Sequence, residues 1–196
     1  SDGSRHVDRD LRARLVAGAT RLFAARGYGA TSMREIVAAA GCTKPALYYY
    51  FDGKEALFRA VIDTHTSAIG GVIERATTGP RPLRERIVVG VLEYFAHVRS
   101  HPDGLAVLLR AHNQPEHGQP DVDLVSVRNA HFALFRQMLA RGVATGEIRS
   151  DIDLDEATIL LGSFVEVAGM RLVFEREPLP DDRIVSITEL FFRGVE

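Results

Sequence analysis

Apolar residues recur along this chain at the three- and four-residue spacing that places them on one face of an α-helix. The first clear stripe, which the glycines of GYGA end, consists of Leu11, Leu15, Ala19, Leu22 and Phe23. No run of alternating apolar and polar residues bounded by turn signals indicates a β-strand. The pattern therefore predicts an all-α protein of about nine helices. The predicted helices cover residues 9–26, 31–40, 43–51, 54–75, 83–100, 101–111, 122–145, 155–175 and 183–195.

The stretch TSMREIVAAAGCTKPALYYYF has the signals of a helix, a tight turn and a second helix. Ser32 followed by Glu35 is a capping-box pattern, and Gly41 suits the left-handed position after a helix. Thr43 can cap the second helix, with Pro45 in its first turn. Two helices joined by so short a turn form a helix-turn-helix, whose second helix is shaped for a major groove.

The second short helix is predicted to turn two apolar residues, Leu47 and Phe51, toward the core. Its outward residues are Lys44, Ala46, Tyr48 and Tyr49. Phenolic hydroxyls can reach phosphate oxygens, and tyrosine rings can pack on sugars and thymine methyl groups. The alternative is that the tyrosines are interior or subunit-contact residues. The caps, the glycine turn and the aromatic row together favour DNA binding.

Lysine use points the same way, since Lys44 and Lys54 are the only two lysines beside 22 arginines. Each lies in the first turn of a predicted helix, where a cation opposes the helix dipole unless an anion such as a DNA phosphate binds there. The net charge is only −2, but residues 1–60 carry a balance of +4 and the remainder −6. This asymmetry indicates that the N-terminal part faces an anion.

Composition places the chain among ordinary globular proteins, with 196 residues, 46% hydrophobic and 26% charged. The single cysteine, Cys42, excludes an internal disulfide and fits a reducing compartment. The most apolar stretch, ATILLGSFVEVAGMRLVF, contains Glu166 and Arg171 and is not expected to span a membrane. Nothing near the N-terminus resembles a signal peptide. We therefore expect a cytoplasmic protein without a membrane partner.

The segment TSMREIVAAAGCTKPALYYYFDGKEALFRAVI, with RLFAARGYGATS before it, resembles the DNA-binding region of the tetracycline-repressor (TetR) family. That family's pattern here is Thr-Ser, an Ile-Ala-like run, Gly, a Lys-Pro or Lys-Gly start, Leu-Tyr-x-x-Phe and Lys-Glu-x-Leu. The resemblance covers about the first 60 residues. It implies a DNA-binding domain over residues 8–53, with its motif at 31–51, and a ligand-binding and dimerisation domain over 54–196. The chain departs from the pattern at Tyr50, often His, and at Cys42, more usually Val.

The resemblance implies DNA-binding roles for ten residues. Those expected to contact phosphates are Thr31, Ser32 and Lys54. Those expected at the groove-facing start of the recognition helix are Thr43, Lys44, Pro45 and Ala46. Those expected to contact bases and backbone are Tyr48, Tyr49 and Tyr50.

The last two predicted helices are apolar on nearly every face, so more than their own core must cover them. Two glycines one heptad apart each cost about 0.5–1 kcal/mol in a helix interior, which close approach of another helix would offset. We expect a four-helix bundle between two copies of the chain, the alternative being that both helices pack inside one subunit. The residues expected at the dimer interface are Gly162, Val165, Gly169, Ile187 and Phe191. A twofold dimer would place its recognition helices about 34–36 Å apart on a near-palindromic site.

The resemblance also implies a small-molecule effector, whose pocket the sequence does not identify. Residues that could line a cavity, although such residues more often belong to the core, are Tyr94, Phe95, His131, Phe132, Phe135, Met138 and Phe164. His97 and His101 are spaced like metal ligands on a helix, but Pro102 follows and nearby carboxylates are scattered, so we predict no metal and no cofactor.

The overall prediction is a transcriptional repressor that binds a near-palindromic operator as a homodimer and is released by an unidentified small molecule. One alternative is a helical enzyme using the histidines and carboxylates, but the chain lacks GxSxG, HExxH and phosphate-loop motifs, so we predict no enzyme activity. The other alternative is a helical dimer that binds protein partners.

Overall fold

The computed structural model describes the backbone of residues 2–195 and the side chains of residues 10–195. These residues form nine α-helices and no β-strand, so the predicted all-α fold is confirmed. The helices are α1 (Asp2–Arg26), α2 (Met33–Ala40), α3 (Lys44–Tyr50), α4 (Lys54–Thr78), α5 (Leu83–Ser100), α6 (Pro102–Asn113), α7 (Leu124–Thr145), α8 (Leu154–Met170) and α9 (Asp181–Val195). A single π-helical turn, Arg171–Glu175, directly follows α8.

The described residues form two compact units. The first comprises the chain up to Thr66 together with Asp103–Asp123, and the second comprises Ser67–Pro102 and the chain from Leu124 onward. Most of α6 therefore belongs with α1, α2 and α3, although it follows them by some 50 residues. The predicted domain boundary between residues 53 and 54 stays a prediction, and it did not anticipate this distant segment.

The core of the first unit is built on the predicted stripe of α1. Leu15, Ala19 and Phe23 are each at most 1% exposed. The Phe23 ring meets the Phe58 ring of α4 nearly at right angles, with centroids 5.3 Å apart, and Tyr28 stacks on Phe23 at 5.8 Å. This aromatic cluster fixes α1 against α4 where the chain turns toward α2.

A tight junction in the same unit joins α1, α4 and α6. The Thr20 hydroxyl donates to the Val16 carbonyl, so at 3.0 Å it can accept a hydrogen bond from the Nε2–H of His65. A Cβ added at Gly104 of α6 would lie closer than 3.0 Å to the His65 ring, a separation that real Cβ atoms essentially never show. Only glycine lets α6 approach this ring so closely.

The second unit is held together by the buried inner faces of its helices. Phe95 of α5, Leu139 of α7 and Ile184 of α9 are each 0% exposed. α4 and α5 also approach each other closely in this unit. A Cβ added at Gly90 would lie closer than 3.0 Å to the Cβ of Ala76.

Candidate nucleic-acid interface

The turn between α2 and α3 has the geometry that the sequence predicts. The Ser32 hydroxyl accepts the Glu35 N–H at 3.3 Å, and the Glu35 carboxylate accepts the Ser32 N–H at 2.9 Å, which completes the capping box. Hydrogen bonds from Ser32, its hydroxyl first, hold the pKa of Glu35 below its ordinary value. Gly41 follows α2 with a φ of 62°, and Thr43 accepts the Ala46 N–H at the start of α3. Two capped helices joined by three residues are a helix-turn-helix.

α3 turns its aliphatic side inward and its aromatic side outward. Leu47 is 0% exposed, whereas Tyr49 is 75% and Tyr48 is 44% exposed. Lys44 is also exposed, and its ammonium lies 5.8 Å from the centroid of the Tyr48 ring. No hydrogen bond within the described part of the chain occupies the hydroxyl of Tyr48 or Tyr49. The outward face is therefore available, and its contacts with DNA stay a prediction.

The other predicted residues of α3 flank this face. Thr43 and Pro45 are exposed, and Ala46 and Tyr50 are half-buried. The Tyr50 ring meets the Tyr49 ring edge-on, with centroids 5.0 Å apart and planes at 89°. Tyr50 thus supports its more exposed neighbour.

The phosphate contact predicted for Thr31 requires a correction. Thr31 is 2% exposed, and its hydroxyl donates to the Gly27 carbonyl at 2.8 Å. Its side chain closes the turn between α1 and α2 and cannot reach a phosphate from there. Ser32 is exposed, but its hydroxyl already bonds to Glu35.

Lys54 packs on the turn between α1 and α2. Its ammonium lies 4.2 Å from the centroid of the Tyr28 ring and 3.4 Å from the Gly29 carbonyl oxygen. Burial lowers the pKa of Lys54, while the negative charges of Glu116 and Glu35 act in the opposite direction. A phosphate contact by Lys54 stays a prediction, and it would share the ammonium with Gly29.

Glu116, in the loop after α6, is a residue of this region that the sequence analysis missed. Its carboxylate accepts a hydrogen bond from the Gly29 N–H, and in the same loop the Asp121 carbonyl accepts one from the Arg59 guanidinium of α4 at 2.9 Å. The loop therefore fastens onto the turn that leads into α2. Glu116 and Gly29 are 87 positions apart, and no local pattern signals such a pair.

The residues predicted for the dimer interface lie mostly inside the second unit. Gly162 and Gly169 are buried, Phe191 is 7% exposed, and Val165 and Ile187 are half-buried. A Cβ at Gly162 would lie closer than 3.0 Å to the Phe132 ring of the same chain. Packing against Phe132 within one subunit therefore accounts for the glycine at position 162. The assignment of Gly162 to the dimer interface is corrected accordingly.

A different set of apolar side chains on α8 and α9 is exposed. Ile159 (57%), Leu160 (60%), Val167 (51%) and Leu190 (60%) are each more than half exposed. The segment Leu154–Glu175 has a mean hydropathy of 1.6 in its most apolar 18-residue window, of which 28% is buried, so by length and composition it could cross a membrane. Such a helix is weak evidence of a membrane span. What it does establish is an apolar face that this unit leaves uncovered.

The residues considered for a ligand cavity divide into core and partly accessible groups. Phe95 and Met138 are 0% and 2% exposed and belong to the core. Burial, with the Glu166 charge as a smaller contribution, raises the pKa of Tyr94 well above its ordinary value. Burial also lowers the pKa of half-buried His131, which keeps its imidazole neutral at pH 7. Phe132, Phe135 and Phe164 are half-buried.

The two histidines that were weighed as metal ligands stack on each other, with ring centroids 4.9 Å apart. Burial first, and then the His101 charge, lowers the pKa of His97. In the part of the chain that the structure describes, no three His, Cys, Asp or Glu side chains cluster in a way that could hold a metal ion.

Comparison with known proteins agrees with this geometry. Residues 15–61 match the family described as "Bacterial regulatory proteins, tetR family". The chain is 27% identical over 184 residues to the HTH-type transcriptional repressor DhaR of Mycobacterium sp. (strain GP1), covering 90% of this chain and 89% of that protein. It is 29% identical over 106 residues to the HTH-type transcriptional activator FasR of Mycolicibacterium smegmatis (strain ATCC 700084 / mc(2)155), covering 54% of this chain and 48% of FasR.

Among solved structures, a gamma-butyrolactone receptor, an ArpA-like protein, superposes with a TM-score of 0.66 at 26% identity, covering 95% of this chain and 96% of that one. The fold, the capped helix-turn-helix and these matches define a DNA-binding transcriptional regulator. The helix-turn-helix segment, residues 15–61, is a DNA-binding domain of the TetR family.

Proposed function

We propose that this protein is a cytoplasmic repressor that binds a near-palindromic operator as a homodimer and leaves it when a small molecule binds the second unit. The observation that carries this proposal is the outward face of α3, where Lys44, Tyr48 and Tyr49 are exposed and make no hydrogen bond or ion pair in the described part of the chain. One ammonium and two phenols are groups that reach phosphates and base edges. Repression is favoured because DhaR, which matches over most of both chains, is named a repressor.

The homodimer is supported by the uncovered apolar face of α8 and α9. Ile159, Leu160 and Val167 lie within eight residues of one another on α8, and Leu190 adds to them from α9, which packs against α8. Soluble proteins rarely leave so large an apolar face in water. A twofold copy of the same face would cover it and would pair the two recognition helices for a symmetric site.

An effector pocket in the second unit is supported by two polar groups among rings. Tyr94 and His131 are the titratable side chains in the ring-rich set, and burial favours the uncharged form of each. Neutral hydrogen-bonding groups with aromatic neighbours suit a largely apolar small molecule with a few polar atoms. Such a ligand shifts the protein away from DNA only as far as it prefers the non-binding conformation.

Selection of bound sequences from random duplexes, followed by fluorescence anisotropy at two salt concentrations, tests the DNA-binding part. We expect affinity to fall steeply with salt and the salt slope of Lys44→Ala to be lower by about 1, because one phosphate contact is lost. Arg141→Ala, the same charge change at an exposed site on α7, is the matched control and should leave the slope unchanged. Salt-independent affinity that survives Lys44→Ala would refute the proposal.

Sedimentation of Leu160→Glu tests the dimer. The substitution puts a charge on a side chain that is already 60% exposed, so the subunit should fold while the dimer dissociates. Glu93→Gln, a change on another exposed helix surface, is the control. A Leu160→Glu protein that stays dimeric would place the interface elsewhere. A reporter gene under the selected sequence distinguishes a repressor from an activator.

A further inference from the structure

The outward face of α3 carries few side chains that read bases through paired hydrogen bonds. Specific contacts in the major groove are commonly made by Arg or Lys to guanine and by Asn or Gln to adenine, while Asp or Glu accepts from cytosine. Of these six residue types, the helix sequence KPALYYY contains only Lys44. Beyond one guanine contact, sequence reading by this helix must therefore depend on something other than bidentate hydrogen bonds.

What α3 presents instead is aromatic surface held in a defined position. Tyr49 is 75% exposed, and its ring is supported edge-on by Tyr50 with centroids 5.0 Å apart. Tyr48 is 44% exposed beside the Lys44 ammonium. A supported ring loses little conformational freedom on binding, so its contact is well suited to discriminate between neighbouring chemical groups.

Only one group on the base edges of the major groove is apolar, namely the 5-methyl of thymine. An exposed ring gains by burying that methyl, whereas the polar edges of guanine, adenine and cytosine would lose water without gaining a hydrogen-bond partner from it. We infer that Tyr49, supported by Tyr50, selects thymine in each half-site through its 5-methyl group. This inference rests on the proposed DNA binding and concerns the sequence that is bound.

Lys44 and Tyr49 then make different kinds of contact, because their side chains differ in chemistry. Lys44 is a flexible point charge, which suits a phosphate or a guanine edge. The Tyr49 ring is sequence-selective through an apolar contact, and its hydroxyl contributes little to the choice of base. Tyr49→Phe should therefore keep the preference for thymine, and Tyr49→Ala should lose it.

The experiment uses the full chain and the duplex obtained by selection. Each thymine is replaced in turn by deoxyuridine, which removes only the methyl, and affinity is measured by fluorescence anisotropy. We expect about fourfold weaker binding at one position per half-site, from about 0.8 kcal/mol per buried carbon, and about 15-fold for the symmetric double replacement. Placing 5-methylcytosine opposite guanine at that position should restore part of the loss.

Variants connect the effect to the residue. The sensitivity to deoxyuridine should persist in Tyr49→Phe and vanish in Tyr49→Ala, whose fold is not at risk because the side chain is largely exposed. A sensitivity that persists in Tyr49→Ala would overturn the assignment. Tight binding that ignores every deoxyuridine, and responds only to 7-deazaguanine, would overturn the inference and leave the proposed function standing. Failure to bind any duplex would overturn both.

Discussion

Replacing Gly90 with alanine tests how closely α4 and α5 pack in the second unit. The new Cβ would lie closer than 3.0 Å to the Cβ of Ala76, whereas carbon atoms in contact prefer about 3.5–4.0 Å. Ala76 has no rotamer that could relieve the clash, so the helices must separate. Overpacking of this kind costs about 1–3 kcal/mol, and alanine in place of glycine returns about 0.5–1 kcal/mol of helix stability. The mid-range values leave a net loss of about 1 kcal/mol, which should lower Tm by about 2–4 °C for a chain of this size.

Thermal unfolding at one fixed protein concentration measures this loss, because the apparent stability of a dimer depends on concentration. Ala76→Gly removes the obstructing carbon, so the double variant should unfold within about 0.5 kcal/mol of the original protein. Gly71→Ala, on α4, is the control. Its Cβ would meet only the end of the Arg75 side chain at 3.5 Å, an ordinary contact, so stability should rise. The reasoning is refuted if the effects of Gly90→Ala and Ala76→Gly simply add.

Three further predictions concern other sites. The pKa of Glu147 is lowered, first by the hydrogen bond from the Leu83 N–H, so this group stabilises the fold above pH 4.5 and the stabilisation is lost as pH falls through the lowered pKa. Acid titration followed by circular dichroism should therefore show a shallower loss of stability below pH 4.5 in Glu147→Gln, and an unchanged curve would contradict this. Gly104→Ala should lower Tm by several degrees because its Cβ meets the His65 ring, and a crystal structure should show that ring displaced. Ser32→Ala should cost about 1 kcal/mol of unfolding free energy through the lost cap, measured by urea denaturation, with loss of less than about 0.3 kcal/mol as the contrary result.

The helices could be predicted from the sequence because their determinants are local. Apolar spacing locates each helix, and the caps Ser32, Gly41 and Thr43 set the boundaries around the motif. The second helix was predicted from Thr31 but begins at Met33, because Ser32 takes the cap. The eighth was predicted as one helix to Glu175, whereas it changes to a π-helical turn at Arg171.

The errors at the site arise where a residue's environment is set by contacts that a local pattern does not encode. Thr31 has the residue type for a phosphate contact, yet its hydroxyl bonds to the Gly27 carbonyl in a buried turn. Gly162 was interpreted as a contact between subunits, yet it makes room for Phe132 of its own chain. Small residues on an apolar helix indicate close approach, but they do not indicate which element approaches.

For α8, the position of each residue around the helix is a better guide to the exposed apolar set than its residue type. Leu160 and Val167 lie one heptad apart on a face different from that of Gly162, and helical geometry alone separates these two faces. Which face was inward depended on the position of α7, which the sequence did not provide.

The segment Asp103–Asp123 completes the first unit from a distant part of the chain, and this has a consequence for recombination between relatives. A graft that transferred only the first 66 residues would leave the first unit without the buried Val107 and Ala111 of α6, and would remove the Glu116 carboxylate that accepts the Gly29 N–H. Exchanging the first unit between two such proteins should therefore require that both of its segments are transferred together. During synthesis, the first unit can likewise be completed only after Asp123 has been made, well after α3.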